Sequence, residues 1–357
     1  MRHSHRSLLQ IRRWLEHFLP LPGHAQVLKF LPLALWAVAL ARSCHLNRIA
    51  LAMPGEDPAK TSLQRLRRWI GRCSFDTDEY LAAAALGHFR AQRQRLVILT
   101  VDRTDWKHAN LLCAASSYHG RCLPLAHLIL SGPKATNSRE LRELLSKVQA
   151  ALPEDAKVVV VADREFGNVP AMRVIREFGW HFCLRFKKDT WVYRTDADAA
   201  QARDLYPARG GRGQWHSVRL TGHRYGPLNL AIIWAKKRDE PWVLVSDLAP
   251  NLLYSYYRRR MRIDEMFSDL KKRGFQLEDS RLRDPLRLLH LLGLLSLTYL
   301  WLLLCAAIIL EFGWRRLIDP ARRRALSYLQ IALRLFARCP DRCPELIATL
   351  TRTYEQK

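Results

Sequence analysis

Negative charge is what this chain is short of. Its 357 residues include 33 Asp and Glu against 58 Lys and Arg, a formal net charge of +25 at pH 7. The basic residues occur in every quarter of the sequence, so the excess is not a tail. That balance argues against a cationic partner and points to a polyanion, with nucleic acid first and an anionic membrane surface as the rival. Zinc-ligand spacing is also missing. The eight cysteines are scattered at Cys44, Cys73, Cys113, Cys122, Cys183, Cys305, Cys339 and Cys343, with no Cys-x-x-Cys pair beside histidines. Cys339 and Cys343, which flank "PDR", are a weak metal or redox hint. No internal repeat of solenoid length is visible. No apolar core followed by a small-residue cleavage site marks the N-terminus, so a reducing cytoplasm is expected.

Long uncharged runs are rare, with one exception. "LLGLLSLTYLWLLLCAAIIL", residues 291 to 310, has the length to span a bilayer. A shorter run, "LPLALWAVALA", covers 31 to 41. The competing explanation is a helix buried in a large core, which the 49 % hydrophobic content of the chain permits.

Periodicity divides the chain. Residues 1 to 94 read as helical, and "SLQRLRRWIGR" is a basic amphipathic stretch containing Trp69. "LVILTVD", 96 to 102, reads as a buried strand ending at Asp102. "LLCAASSYHGRCLPLAHLIL" reads as two strands around a His-Gly turn. "SRELRELLSKVQAAL" is a helix that begins after Asn137, with Ser138 as its expected cap. "KVVVVADREFGN" repeats the earlier event, a β-branched run ending at Asp163. Residues 189 to 236 break the rhythm as a β-rich insertion, "PWVLVSDL" returns to a buried strand, and residues from about 286 onward are helical. Mixed strands and helices, with two strands ending in Asp, predict an α/β sheet whose acids gather at the carboxyl ends of strands.

"YRRRMRIDEMFSDLKK", 257 to 272, then supplies a third acid. At 100° per residue from Tyr257, Arg260 falls near about 300°, Asp264 about 340° and Lys271 about 320°. Ile263, Met266, Phe267 and Leu270 make the adjoining apolar face. Glu265 and Asp269 lie off the stripe. Basic groups one turn either side of Asp264 suit phosphates, while the carboxylate suits a cation. Asp102, Asp163 and Asp264 together can hold two Mg²⁺ or Mn²⁺ ions through hard oxygen ligands. Asp105, beyond the expected end of the first strand, is a rival to Asp102 and reads as a turn residue.

These motifs resemble the DDE transposases of bacterial insertion sequences, in the group with a Y-x2-R-x3-E-x6-K helix. Tyr257, Arg260, Asp264 and Lys271 keep that spacing. "LTVDRTDWK" is similar to the family's first-Asp motif and "VVADREFGN" to its second; "GFQLEDSRL" is similar to the segment after the family's helix. The resemblance spans roughly residues 40 to 310. It implies an RNase H-like catalytic core at 95–285 with a β-rich insertion about 189–236. A helical DNA-binding region at 1–94 and a helical C-terminal region at 286–357 flank that core. It implies that Asp102, Asp163 and Asp264 hold two Mg²⁺ or Mn²⁺ ions, and that Tyr257, Arg260, Lys271 and Arg164 contact double-stranded DNA. Trp242 matches a position that stacks on a flipped base in relatives that cut through a hairpin; a core Trp is the alternative. The family has Glu where this chain has Asp264, so the neighbouring Glu265 stays open as the third acid. The expected partners are terminal inverted repeats and target DNA, with a homodimer on DNA because two ends must be paired. The expected place is the bacterial cytoplasm, on the nucleoid. A spanning helix so soon after a DNA-binding site is awkward, which favours the core reading of 291 to 310. A related nuclease and an inactive, DNA-binding descendant are the alternatives.

Overall fold

The computed structural model describes residues 2–18, 25–72, 77–106, 109–130, 135–320 and 326–355. Cys73 and Lys107 lie outside the described residues. Five helices come first: α1 (Arg2–Phe18), α2 (Ala25–Ala41), α3 (Leu46–Leu51), α4 (Ala59–Arg72) and α5 (Thr77–Ala91). Strands β1 (Leu96–Trp106), β2 (Ala109–Tyr118) and β3 (Arg121–Leu130) come next, then α6 (Ser138–Gln149), β4 (Lys157–Ala162), α7 (Val169–Glu177) and β5 (His181–Arg185). Five more strands are β6 (Trp191–Tyr193), β7 (Ala199–Gln201), β8 (Arg212–Leu220), β9 (Tyr225–Ile233) and β10 (Trp242–Ser246). The chain ends in helices α8 (Pro250–Tyr257), α9 (Met261–Ser268), α10 (Pro285–Glu311), α11 (Arg315–Ile318), α12 (Tyr328–Arg338) and α13 (Cys343–Glu355).

Among the described residues ten strands form one sheet in the order β3-β2-β1-β4-β5-β10-β9-β8-β6-β7. β1, β4 and β5 are parallel neighbours, while β2 and β3 extend one side as an antiparallel meander. β6 to β9 continue the sheet on the other side, through the β9–β10 pairing. The β2–β3 turn uses His119 (φ 40°) and Gly120 (φ 80°), the positive-φ pair a two-residue hairpin turn requires.

β1 is longer than its sequence suggests. Its parallel register with β4 stops at Val101↔Ala162, but β2 keeps it extended to Trp106. Asp102 therefore lies inside the strand, opposite Cys113, at the point where β4 falls away. Asp105 is also a strand residue, not a turn residue. The cap of α6 differs from expectation too. Asn137 accepts from the Arg139 and Glu140 amides, and Glu140 accepts from the Asn137 amide in return, so Ser138 is the first helical residue.

Strand alternation decides which side chains share a face. Ile98, Val159, Val161, Cys183, Trp242 and Leu244 form a small core with Leu253 and Tyr257 of α8. Val97, Leu99, Val101, Val158, Val160 and Ala162 point the other way into a much larger core that includes α10. By the same alternation Asp102, two residues beyond Thr100, and Asp163, two beyond Val161, fall on the α8 side.

α10 is the long apolar run. It is long and apolar enough to cross a membrane by composition, yet 94 % of its most apolar window is buried inside the protein. It starts at the Asp284 cap, whose carboxylate accepts from the Arg287 amide at 2.8 Å, with Pro285 at the first helical position. Its polar side chains find partners in the fold: His290 meets the Ile70 carbonyl at 2.8 Å and Ser296 meets His127 at 3.2 Å. His127 in turn approaches Asp78, which also takes Lys147 at 2.7 Å. A helix with polar groups committed in this way belongs to a protein core.

Leu300, fully buried in α10, should therefore cost about 2–5 kcal/mol when cut to alanine. Urea unfolding without detergent measures that cost. A drop under about 1 kcal/mol, the level of a surface site, contradicts a core position for α10. His88 gives a second test. Burial, and secondarily His119, lowers its pKa to about 4. Unfolded histidine binds protons from about pH 6.5 downward, so stability held above pH 6.5 is lost as pH falls toward 4. The melting temperature of His88→Gln should depend less on pH across that window than wild type; parallel curves contradict it.

Candidate active site

The sheet brings the two strand carboxylates side by side. Asp163 directly follows β4, next to Asp102 on β1. Its Oδ1 accepts the Glu165 amide at 2.9 Å, and the turn it begins passes so close to β5 that a Cβ on Gly167 would sit 2.2 Å from the Arg185 carbonyl oxygen. Only glycine fits there.

The third carboxylate arrives on α9, and the straight-helix picture of 257 to 272 needs correction. Tyr257 ends α8, and residues 258–260 form a tight link. The Arg260 and Ile263 amides each bond to the carbonyl three residues back, at 2.9 and 3.0 Å. At the far end, Asp269–Arg273 widens into a π-helical turn. The Gly274 and Phe275 amides both reach the Asp269 carbonyl, and a Cβ on Gly274 would lie 2.5 Å from that oxygen. Tightening before Asp264 and widening after it change the angular positions from those of a regular helix. Arg260 and Asp264 stay adjacent, and Lys271 is turned toward β1.

Arg260 is the hub. Its Nη1 donates to Asp102 Oδ2 at 3.0 Å and lies 3.6 Å from Asp264 Oδ1. Asp102 is 7 % exposed, and burial pushes its pKa up to about 7. The Arg260 guanidinium pulls it down, while Asp163 and Asp264 push it up. Asp264 is likewise raised, first by burial, against the pull of Arg260 and with the push of Asp163 and Glu265. Arg260 pairs with Asp102 and Asp264 while the Asp163 charge pushes on both, so the cluster is short of cationic charge.

The other candidates surround this hub. Tyr257 is buried beside Arg260, and burial raises its pKa. Lys271 donates to Thr104 Oγ1 at 2.7 Å and to the Asp105 carbonyl at 2.8 Å; half-burial lowers its pKa. Asp105 itself points to solvent, 3.9 Å from Arg103. Glu265 turns the other way, to Arg273 at 2.9 Å and Arg121 at 3.6 Å. Arg121 also holds the fully buried Asp269 at 2.8 Å, and Tyr299 of α10 donates to the same oxygen at 3.3 Å. Trp242 is 4 % exposed, edge-on to Tyr257 at 4.8 Å, with Arg238 lying 3.9 Å over its ring. Arg164 reaches Glu240 at 3.1 Å, where Arg185 joins at 2.9 Å.

A family model of the transposase DDE domain matches residues 94–301, more than half of the chain and every residue of this cluster. The chain belongs to the DDE transposase family. No curated protein matches it. It is thus a transposase, a protein of DNA recombination and transposition, of insertion-sequence type. Asp102 on β1, Asp163 just after β4 and Asp264 on α9 all lie inside the matched span.

The family generally uses divalent metal ions. In this transposase the donor set is carboxylate oxygen throughout, which suits Mg²⁺ or Mn²⁺. The charge shortage at Asp102 and Asp264 suits a cation as well. Among the described residues, no three Asp, Glu, His or Cys groups already stand as a metal cage, and Arg260 lies between two of the acids. Donor chemistry and charge fit; the spacing in this state is set by Arg260.

Arg121, Arg185 and Glu240 belong to the neighbourhood, yet no sequence motif singles them out. Their partners lie 55 or more residues away in the chain, so no local spacing reveals them. Thr104 does carry a signal, two residues from Asp102 on the same strand face.

The sign of the Asp102 shift is testable. Its folded pKa, about 7, exceeds the ordinary carboxylate value, so the folded state holds a proton that the unfolded state releases. Its penalty on stability is absent below about pH 4 and grows until pH 7. With divalent ions chelated, Asp102→Asn should gain in melting temperature relative to wild type as pH rises from 5 to 7.5. A difference that stays constant over that range contradicts the assignment.

Proposed function

We propose that this transposase cuts DNA at the ends of its element and joins the freed 3′-OH to target DNA, with Asp102, Asp163 and Asp264 as its acid triad. The observation that supports this reading is that Arg260 contacts Asp102 of β1 and Asp264 of α9, that Asp163, just after β4, lies near enough to raise the pKa of both, and that Lys271 reaches the adjoining end of β1. The strand order β3-β2-β1-β4-β5, antiparallel then parallel, supports an RNase H-like core. The spacing Tyr257, Arg260, Asp264, Lys271 supports the group with the Y-x2-R-x3-E-x6-K helix, with Asp replacing its Glu.

In this proposal Asp102, Asp163 and Asp264 hold two Mg²⁺ or Mn²⁺ ions. Such ions activate the attacking oxygen and stabilise the leaving oxygen. Asp264 is preferred to Glu265 because Glu265 is engaged by Arg121 and Arg273. Arg260 and Lys271 lie on the strand-end side of the sheet, where their charges neutralise phosphate. Arg164 sits at the same edge, and its exposed pairing with Glu240 is weak enough to exchange for DNA. Tyr257 acts through Arg260, whose guanidinium it flanks. Trp242 stacks on a base only when Arg238 leaves its ring. A homodimer on two paired ends, on the nucleoid in the bacterial cytoplasm, completes the reading.

The test uses labelled duplexes built from the inverted repeats that flank the gene. Wild type with Mg²⁺ should release a 3′-OH end and form joined products. Asp102→Asn, Asp163→Asn and Asp264→Asn should each lose about 10³-fold or more in cleavage while still binding DNA. Glu265→Gln should retain cleavage. Loss with Glu265→Gln but not Asp264→Asn reassigns the third acid. Cleavage without joining makes the protein a nuclease, and binding without cleavage by wild type makes it an inactive descendant.

A further inference from the structure

The basic excess has a second concentration, far in sequence from the acids. α4 reads "AKTSLQRLRRWIGR", with five basic residues and no acid. Its inner face is fixed: Ser62, Leu66 and Ile70 are buried, and Trp69 leans on Phe30 at 5.5 Å. Its C-terminal end is clamped by α10, where His290 meets the Ile70 carbonyl at 2.8 Å. Gly71 lies against Arg287, whose Nε would be 3.6 Å from a Cβ at that position. The segment leading into it is tied to the active-site side: Cys44 donates to the Gln276 carbonyl at 3.0 Å, and Arg48 of α3 donates to the Gln276 side chain at 3.1 Å. Gln276 lies just beyond the π-helical turn that carries Lys271. α4 is thus fixed to α10, and the segment before it to Gln276, five residues after Lys271.

Its outer face is open. Lys60, Thr61, Gln64, Arg67 and Arg68 are all exposed. At 100° per residue they occupy one arc of about 120°. Among the described residues, no acid pairs with Lys60, Arg67 or Arg68; nearby Asp57 is occupied by Arg65 at 2.8 Å. Exposed Arg281, Arg283 and Arg287 belong to the chain between the Lys271 turn and the clamp on α4.

We propose that α4 is the DNA-reading helix of this transposase, its outer face entering the major groove of the duplex whose end is processed at Asp102, Asp163 and Asp264. The proposal rests on the transposase reading and names the surface that grips the substrate. Arg67, Arg68 and Lys60 take phosphates on the groove walls, and Gln64, between them on the arc, faces base edges. The major groove of B-form DNA admits an α-helix, whereas that of double-stranded RNA is too narrow. An anionic bilayer would require apolar side chains on the basic face, and this arc has none.

Fluorescence anisotropy without divalent ions tests the assignment, using an element-end duplex and a scrambled duplex of equal length. Arg67→Ala/Arg68→Ala should weaken end binding at least tenfold. It should also lower the salt slope by about 2, since each phosphate no longer neutralised removes about 0.9. Gln64→Ala should keep the slope and lose preference for the end over the scrambled duplex. Arg338→Ala/Arg352→Ala, equal in charge but on α12 and α13, should match wild type. If the alanine pair melts early, Arg67→Gln/Arg68→Gln, which keeps side-chain length, gives the result. An α4 double variant that binds like wild type with an unchanged slope overturns this helix assignment and leaves the transposase reading intact. Wild type that binds neither duplex defeats the transposase reading itself.

Discussion

The ion pair between Arg260 and Asp102 joins groups 158 residues apart in the chain, and the organisation of the site depends on it. Arg260 sits in the tight link between α8 and α9; Asp102 sits in β1 where β4 falls away. Arg260 is the residue just before α9, and the same guanidinium lies 3.6 Å from Asp264 one turn on. Such a buried pair is not an obvious gain in stability, since burying both charges offsets much of their attraction. Its value is positional. It holds a carboxylate that burial has pushed to a pKa of about 7 against a helix that brings another carboxylate beside it.

Around this contact the fold separates two tasks. The larger core, centred on α10, supplies rigidity, because a helix buried almost all round can be packed from every side. The small core under α8 carries the candidate acids at its rim. Strand alternation, a property of any β-strand, places Asp102 and Asp163 on that rim. The π-helical turn after α9 adds a further adjustment. Asp269, bonded to Arg121 and Tyr299, pins the turn to β3 and α10, and Lys271 is thereby delivered to Thr104 at the end of β1. Single-turn π segments of this kind recur at functional sites.

The ion pairs of the site divide by burial. Arg164–Glu240 is exposed on both sides, and breaking it would cost little. Arg121–Asp269 is nearly closed to water, so removing either partner would leave a buried charge alone. A phosphate competes more readily for an exposed arginine such as Arg164 than for a buried one such as Arg121.

Local pattern was enough to reveal the alternation of strands and helices, the positions of Asp102, Asp163 and Asp264, and the amphipathic character of α4. Periodicity and spacing are properties that each segment carries independently. They could not reveal the length of β1, because β2, not β4, keeps residues beyond Asp102 extended. They could not choose the cap at Asn137, where two equally suitable residues stood side by side. The direction of Glu265 was out of their reach, since it depends on Arg121 arriving from a distant hairpin. The membrane-length run 291 to 310 was ambiguous for a related reason: composition cannot say what surrounds a helix. Each of these points waited on three-dimensional packing, because each depends on a partner brought from elsewhere in the chain.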